Sequence, residues 1–265
     1  MKIANIDGQP HLITSASTAQ PITNAPDVLT ALTQSESLRL GSTLQFTADQ
    51  LEAPITTSQQ IFAIGMNFLD HSQEIHIKLP TVPSVFTKFS SSLAKPTATV
   101  RMHGPKIDWE TELVVVIGRG GRDIPEGEAM RHVAGLMVGE DLSDREVQFA
   151  NAEPQFSLAK SFQNYSPIGP WVTSPDTIAN LDQLQITTTV NGQVMQQASL
   201  DQLIFKLPTL IHYLSGIVAL QPGDLIFTGT PSGTGVGRDP QIFLKPGDQL
   251  TAAITELGAL QLTMA

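Results

Sequence analysis

The sequence predicts a β-rich α+β protein, sandwich- or roll-like, with a small N-terminal α/β lobe. Three observations carry this. Short apolar or alternating runs bounded by Gly and Pro recur along the chain; an Asn-Gly pair separates two β-prone runs; and only a few short stretches have helical spacing. The 265 residues are 41% hydrophobic and 15% charged, with 20 Gly and 18 Pro. That is enough apolar material for a sizeable core and too little charge for a disordered or coiled-coil chain.

Residues 1–58 differ in texture from the rest. They are rich in Thr, Ser and Gln and broken by Pro10, Pro21, Pro26 and Pro54. MKIANI and PHLIT read as short strands, and DVLTALTQS as one helix with Pro26 at its first turn. The segment is too small for a large core of its own, which predicts an accessory lobe packed on residues 59–265. From residue 59, QQIFAIGMN reads as a buried strand, IDWETELVVVIGR as a long strand with a continuously apolar second half, and GLMVGED as another. Asn191-Gly192 in LQITTTVNGQVMQQ predicts a hairpin. PGDLIFTGT and PGDQLTAAIT each open on a turn that feeds a strand. PEGEAMRHVAG, SDREVQFAN and PTLIHYLSG read as short helices.

Composition excludes several functions. Fifteen Lys and Arg against 25 Asp and Glu give a net charge of −10, with no basic run, which disfavours nucleic acid and anionic membranes as partners. The absence of cysteine removes disulfides, thiolate metal sites and a Cys nucleophile. MKIANIDGQPHLIT has no apolar core of the signal-peptide kind, and no stretch approaches the ~18 apolar residues of a span. The expectation is a cytosolic protein.

Glu110 and Glu112 are the strongest local candidates for chemistry. Alternate strand residues share a face, so these carboxylates project together roughly 6–7 Å apart along the chain, and that face continues into Val114 and Val116. Like charges at the rim of a core repel and lose hydration unless a cation or shared proton compensates; the competing reading is an exposed strand end. Asp141 closes the apolar run VAGLMVG, and Ser143 with Glu146 forms a capping-box pattern just beyond it. Asp141 then either points at a ligand or helps cap that helix. Three carboxylates and no thiolate suit a hard divalent ion, Mg²⁺ or Mn²⁺, with Ca²⁺ a third candidate. His71 and Glu74 are spaced to share one helical face, where the carboxylate can raise the imidazole's basicity and make the pair a general base; a solvated surface helix is the alternative. Arg145 and Gln148 share a face of the helix after Asp141. Lys160 is the single cation of FSLAKSFQNYSPIGPW. The turn after Thr228 is Gly-rich but lacks the Gly-Lys-Ser/Thr of a phosphate-binding loop.

In order, NFxDHxxE, IDWETELVVVIG, VAGLMVGEDLSDRxxQ, AKSFxxxxPIGPW, NGQVMQ and PGDLIFTGTPSGTGVG…FLKPGD resemble the fumarylacetoacetate hydrolase family over residues 59–265. The resemblance implies that family's mixed β-sandwich roll, usually dimeric. It places Glu110, Glu112 and Asp141 on metal-ligand positions, His71 and Glu74 on a lid dyad, Lys160 and Thr230 on substrate-contacting positions, and Arg145 and Gln148 on the helix lining the site. Glu140 departs from the neutral Asn or Gln commoner beside the metal Asp, Phe68 from a frequent Tyr, and Phe89 from the Pro that often follows the Lys.

The implied activity is divalent-metal-dependent hydrolysis of a C–C bond in a 2,4-dioxo acid of acylpyruvate or fumarylpyruvate type. His71 would activate the water and a pyruvate enolate would depart. Decarboxylation of an oxaloacetate-type acid, or isomerisation or hydration of an unsaturated 2-oxo acid, uses the same enolate logic. A non-catalytic binding protein of the same fold is the contrasting expectation. The expected partners are a small anionic 2-oxo acid and a second copy of the chain.

Overall fold

The computed structural model describes residues 1–58, 60–70 and 79–265. His71 and Glu74, the expected dyad, lie outside the described residues. Two sheets form the body. The larger runs, edge to edge along its main path, through Leu44–Gln45, Thr18–Pro21, Gln9–Ile13, Lys2–Ile6, Ser166–Thr173, Val133–Glu140, Thr111–Ile117, Leu225–Phe227, Ile61–Gly65 and Ser84–Thr87. The smaller runs through Gln193–Ser199, Gln185–Val190, Gln249–Ile254, Gly258–Met264 and Thr99–Val100. Most pairings are antiparallel, but Ile61–Gly65 runs parallel to Leu225–Phe227 and Gly258–Met264 parallel to Thr99–Val100, so the sheets are mixed as the resemblance implies.

The Thr111–Ile117 strand shows why its sequence is continuously apolar: it is buried on both faces. Leu113, Val115 and Ile117 face the core shared with the second sheet, beside Ile186, Leu250 and Leu260. Val114 and Val116 face the opposite cluster with Ile3, Val28, Ala31 and Phe227. The alternation therefore sends Thr111 toward the sandwich interior and Glu112 to the other face.

Residues 1–58 are joined to the body by backbone pairing as well as by packing. Lys2–Ile6 pairs antiparallel with Ser166–Thr173 in the main sheet. The helix Val28–Thr33 covers the Val114–Val116 face, and its N-cap is Asp27, whose side chain accepts from the Thr30 N–H. Pro26 thus precedes the cap and lies outside the first turn, its predicted place. The Asn191-Gly192 hairpin forms as predicted, with φ of 51° and 79°, the left-handed pair that such a two-residue turn requires. The predicted helix in PEGEAMRHVAG is a 3-10 helix over Glu126–His132, while Leu207–Ile217 is α-helical. Among the described residues, no helix is long and apolar enough to cross a membrane.

Candidate active site

Glu110 precedes the Thr111–Ile117 strand, Glu112 lies inside it, and Asp141 follows the neighbouring strand Val133–Glu140. The antiparallel register sets Thr111 opposite Glu140, and the Asp141 N–H donates to the Glu110 carbonyl at 2.8 Å. All three carboxylates are buried, and one oxygen from each lies within 4.8 Å of the others. Neither Glu110 nor Glu112 is the exposed strand end that the pattern left open.

The helix after Asp141 also differs from its predicted start. Its N-cap is Asp144, whose Oδ1 accepts from the Glu146 and Val147 N–H groups. Ser143 instead donates to the Asp141 carbonyl and accepts from Lys160 Nζ at 2.8 Å. Asp141 is thereby free of capping: Lys88 and Lys160 hold its two oxygens.

Among the described residues, three buried cations surround the carboxylates. Lys160 Nζ bonds Glu110 Oε2 at 2.5 Å, Asp141 Oδ2 at 2.8 Å and Ser143 Oγ, one acceptor for each ammonium proton. Arg145 Nη2 pairs with Glu110 Oε1 at 2.6 Å, and its guanidinium also grips Asp108 and, through Nη1, Gln148 Oε1 at 2.7 Å. Arg145 therefore positions Glu110, while Gln148 keeps its Nε2 donors for the cavity. Lys88 bonds Asp141 and the Lys160 carbonyl. Burial disfavours the Lys160 ammonium, yet Asp141 and Glu110 raise its pKa above the usual lysine value.

Asp108 and Lys88 are site residues that the sequence reading did not single out. Asp108 is fully buried and accepts from the N–H groups of Trp109, Gly235 and Val236 as well as from Arg145. The Gly-rich turn serves this contact. A Cβ on Gly235 would meet the Ile242 carbonyl at 1.9 Å and Asp108 Oδ1 at 2.8 Å. Lys88 had only its place before Phe89 to mark it.

Charge divides the carboxylates. Burial works to raise Glu110, but Lys160 and Arg145 outweigh it and bring it down to about 2. Glu112 goes the other way. Burial first, then Asp141 and Glu110, push it well above the usual carboxylate range. Its Oε2 accepts from the Gly229 N–H at 2.7 Å, and among the described residues no cation forms an ion pair with it. Among the described residues, four carboxylates (Asp108, Glu110, Glu112, Asp141) thus face three cations (Lys88, Arg145, Lys160), and Glu112 is the surplus carboxylate, whose ionisation the site disfavours until further positive charge is supplied. Hard oxygen donors around that surplus fit a divalent cation.

The cluster forms the polar end of a cavity of about 410 Å³ lined by Glu110, Glu112, Arg145, Gln148, Lys160 and Thr230. Met66, Phe86, Phe149 and Phe156 supply the apolar wall, with Phe86 stacked on Phe156 at 5.2 Å. The described histidines have local structural bonds: His11, His132 and His212 bond backbone carbonyls, and His103 stacks on Phe162.

A mixed β-sandwich roll with a buried acidic cluster at one end of an apolar-walled cavity defines the class. Residues 60–265 match the fumarylacetoacetate (FAA) hydrolase C-terminal family, and the chain belongs to that family, which is one of enzymes. A Bos taurus mitochondrial oxaloacetate tautomerase is 40% identical over 210 residues, 78% of this chain and 67% of the relative. A Mycobacterium smegmatis protein described as HpcE is 40% identical, with a TM-score of 0.93 over 100% of this chain and 99% of the other. A fumarylacetoacetate hydrolase from Exiguobacterium antarcticum is 26% identical, with a TM-score of 0.89 and coverage of 100% and 99%.

Proposed function

We propose that this chain is a divalent-metal-dependent enzyme that moves a proton at the carbon beside the 2-oxo group of a small anionic 2-oxo acid, interconverting the keto and enol forms of an oxaloacetate-type substrate. The observation that carries this reading is the carboxylate cluster in which Glu112 has no cation partner among the described residues, set against an apolar-walled cavity. The 40% identity to an oxaloacetate tautomerase supports the choice of reaction. Glu110, Glu112 and Asp141 would hold Mg²⁺ or Mn²⁺, which when bound supplies positive charge to the oxygens of the substrate.

The remaining work falls to the chain's own side chains. Arg145 keeps Glu110 ionised and fixed. Lys160 holds a proton on Nζ at the cavity wall, where negative charge develops on the substrate. Gln148 Nε2 has donors for a carboxylate or carbonyl oxygen. Phe86, Phe149 and Phe156 limit access of water to the enol. Dimerisation, implied by the family resemblance, and a cytosolic location, expected from the sequence, belong to this reading; the name of the bovine relative places that protein in mitochondria.

Cleavage of a 2,4-dioxo acid is the second reading, favoured by the likeness to a fumarylacetoacetate hydrolase. It asks in addition for an activated water, the role expected of His71 and Glu74. The two readings separate in one experiment. Enol absorbance of oxaloacetate is followed in the ultraviolet beside loss of an acylpyruvate, each with Mg²⁺ and with EDTA. Metal-dependent acceleration of keto–enol exchange is expected. Acylpyruvate loss without such exchange would replace the first reading by the second, and no metal-dependent change in either would remove both.

A further inference from the structure

Behind Thr230 runs a buried chain of side chains whose ends lie on the backbone. Gln196, in the strand Gln193–Ser199, is its centre. Gln196 Oε1 accepts from the Thr111 N–H at 3.3 Å and from Thr188 Oγ1 at 2.7 Å. Gln196 Nε2 donates to the Pro231 carbonyl at 2.8 Å and to Thr230 Oγ1 at 2.9 Å. A backbone N–H can only donate and a backbone carbonyl can only accept, so these two contacts pin the amide in one orientation.

The orientation settles Thr230. Its Oγ1 receives one hydrogen bond from Gln196, and its own proton goes to the Thr111 carbonyl at 2.8 Å. A hydroxyl has one proton and two lone pairs. With the proton and one lone pair engaged, a single lone pair is left for whatever occupies the cavity that Thr230 lines. Turning the proton toward a ligand would leave the buried Thr111 carbonyl without this partner.

We infer that Thr230 reads the hydrogen-bond polarity of the ligand: it accepts from an O–H and disfavours a bare carbonyl or carboxylate oxygen, so that side of the site selects the enol over the keto tautomer. Gln196 is the positioning residue that sets this preference. The inference rests on the 2-oxo acid reading above and adds to it which tautomer the protein holds better.

Lactate and pyruvate test it, because both present a carboxylate and an adjacent C2 oxygen while only lactate carries an O–H there. Dissociation constants are measured calorimetrically for both lactate enantiomers and pyruvate, with Mg²⁺ present, on wild type, Thr230→Val and Thr230→Ser. Changes in the lactate-to-pyruvate ratio between proteins cancel any intrinsic difference between the ligands. Thr230→Val is expected to weaken the better lactate enantiomer about tenfold relative to pyruvate, the loss of one hydrogen bond. Thr230→Ser is expected to keep the wild-type ratio within about twofold. Should Thr230→Val fail to fold, Thr230→Ala provides the same comparison. An unchanged ratio, or a larger loss on pyruvate, would overturn the inference by making Thr230 a neutral or donating contact. Absence of binding by either acid to wild type would fell the 2-oxo acid reading and the inference together.

Discussion

Glu140 illustrates how a single residue can keep the function of a different one. The resemblance places a neutral amide beside the metal Asp, whereas this chain has a carboxylic acid. Burial pushes Glu140 up to about 8, so near neutrality it carries its proton. Its Oε1 accepts from the Glu110 N–H at 2.5 Å, and its Oε2 lies 2.8 Å from Thr111 Oγ1. A protonated Glu and a Gln offer the same acceptor to the first and a donor to the second. The raised native value fixes the sign of the pH effect: the folded state keeps a proton that the unfolded chain releases near its ordinary value. The contribution of this group is most favourable below that ordinary value and falls as pH rises toward about 8, by up to about 1.4 kcal/mol per pH unit. Glu140→Gln, compared with wild type by urea unfolding in EDTA, is expected to remove that slope and to be the more stable protein at pH 8. Equal slopes would show that Glu140 ionises normally. Asp108 gives the opposite case. Asp108→Ala would strip Arg145 of a buried partner and the Gly235 and Val236 N–H groups of their acceptor, at an expected cost of about 3–5 kcal/mol, read as a lower urea midpoint.

At the scale of elements, the carboxylate strand is held in register by a strand distant in sequence. Leu225–Phe227 pairs with Val114–Val116, and the chain then turns at Gly229, with φ of 98°, so that its N–H meets Glu112. A Cβ there would lie 2.9 Å from both the Ile64 carbonyl and Asn67 Cβ. Gly229→Ala is expected to destabilise by about 1–3 kcal/mol and to weaken Mg²⁺ binding in calorimetry, because the turn and the Glu112 contact move together; unchanged metal affinity would separate them. Glu110, Glu112 and Asp141 were legible in the sequence because period-two alternation and a strand terminus are local signals. Asp108 was not, since its partners come from residues 109, 145, 235 and 236. The helix start was misassigned for a related reason: Ser143 and Glu146 have capping-box spacing, but Lys160, from another segment, claims the Ser143 hydroxyl. The Glu126–His132 segment has helical composition but adopts the tighter 3-10 form, which no spacing in PEGEAMRHVAG distinguishes.

For the whole molecule, the surplus carboxylate couples stability to the ion. A ligand that binds only the folded state stabilises it by about 2.7 kcal/mol at a hundred times its dissociation constant, which for a chain of this length is a rise of several degrees in Tm. Mn²⁺ or Mg²⁺ is expected to give that rise and EDTA to reverse it. Glu112→Gln is expected to lose the rise while its metal-free form melts no lower than wild type, because the substitution removes a buried carboxylate that has no cation partner among the described residues. A metal-free Glu112→Gln protein that melted well below wild type would contradict the charge assignment. The same topology has a consequence for synthesis. All three carboxylates and all three cations are encoded before residue 161, but the strand and turn that flank Glu112 come from residues 225–229 and the contacts to Asp108 from residues 235 and 236. A nascent chain emerging from the ribosome therefore carries the complete set of carboxylates and cations for some seventy residues before it has the backbone that encloses it. Through that interval the carboxylates remain hydrated and the valines beside them lack their outer strand, so the centre forms only when residues 225–236 arrive.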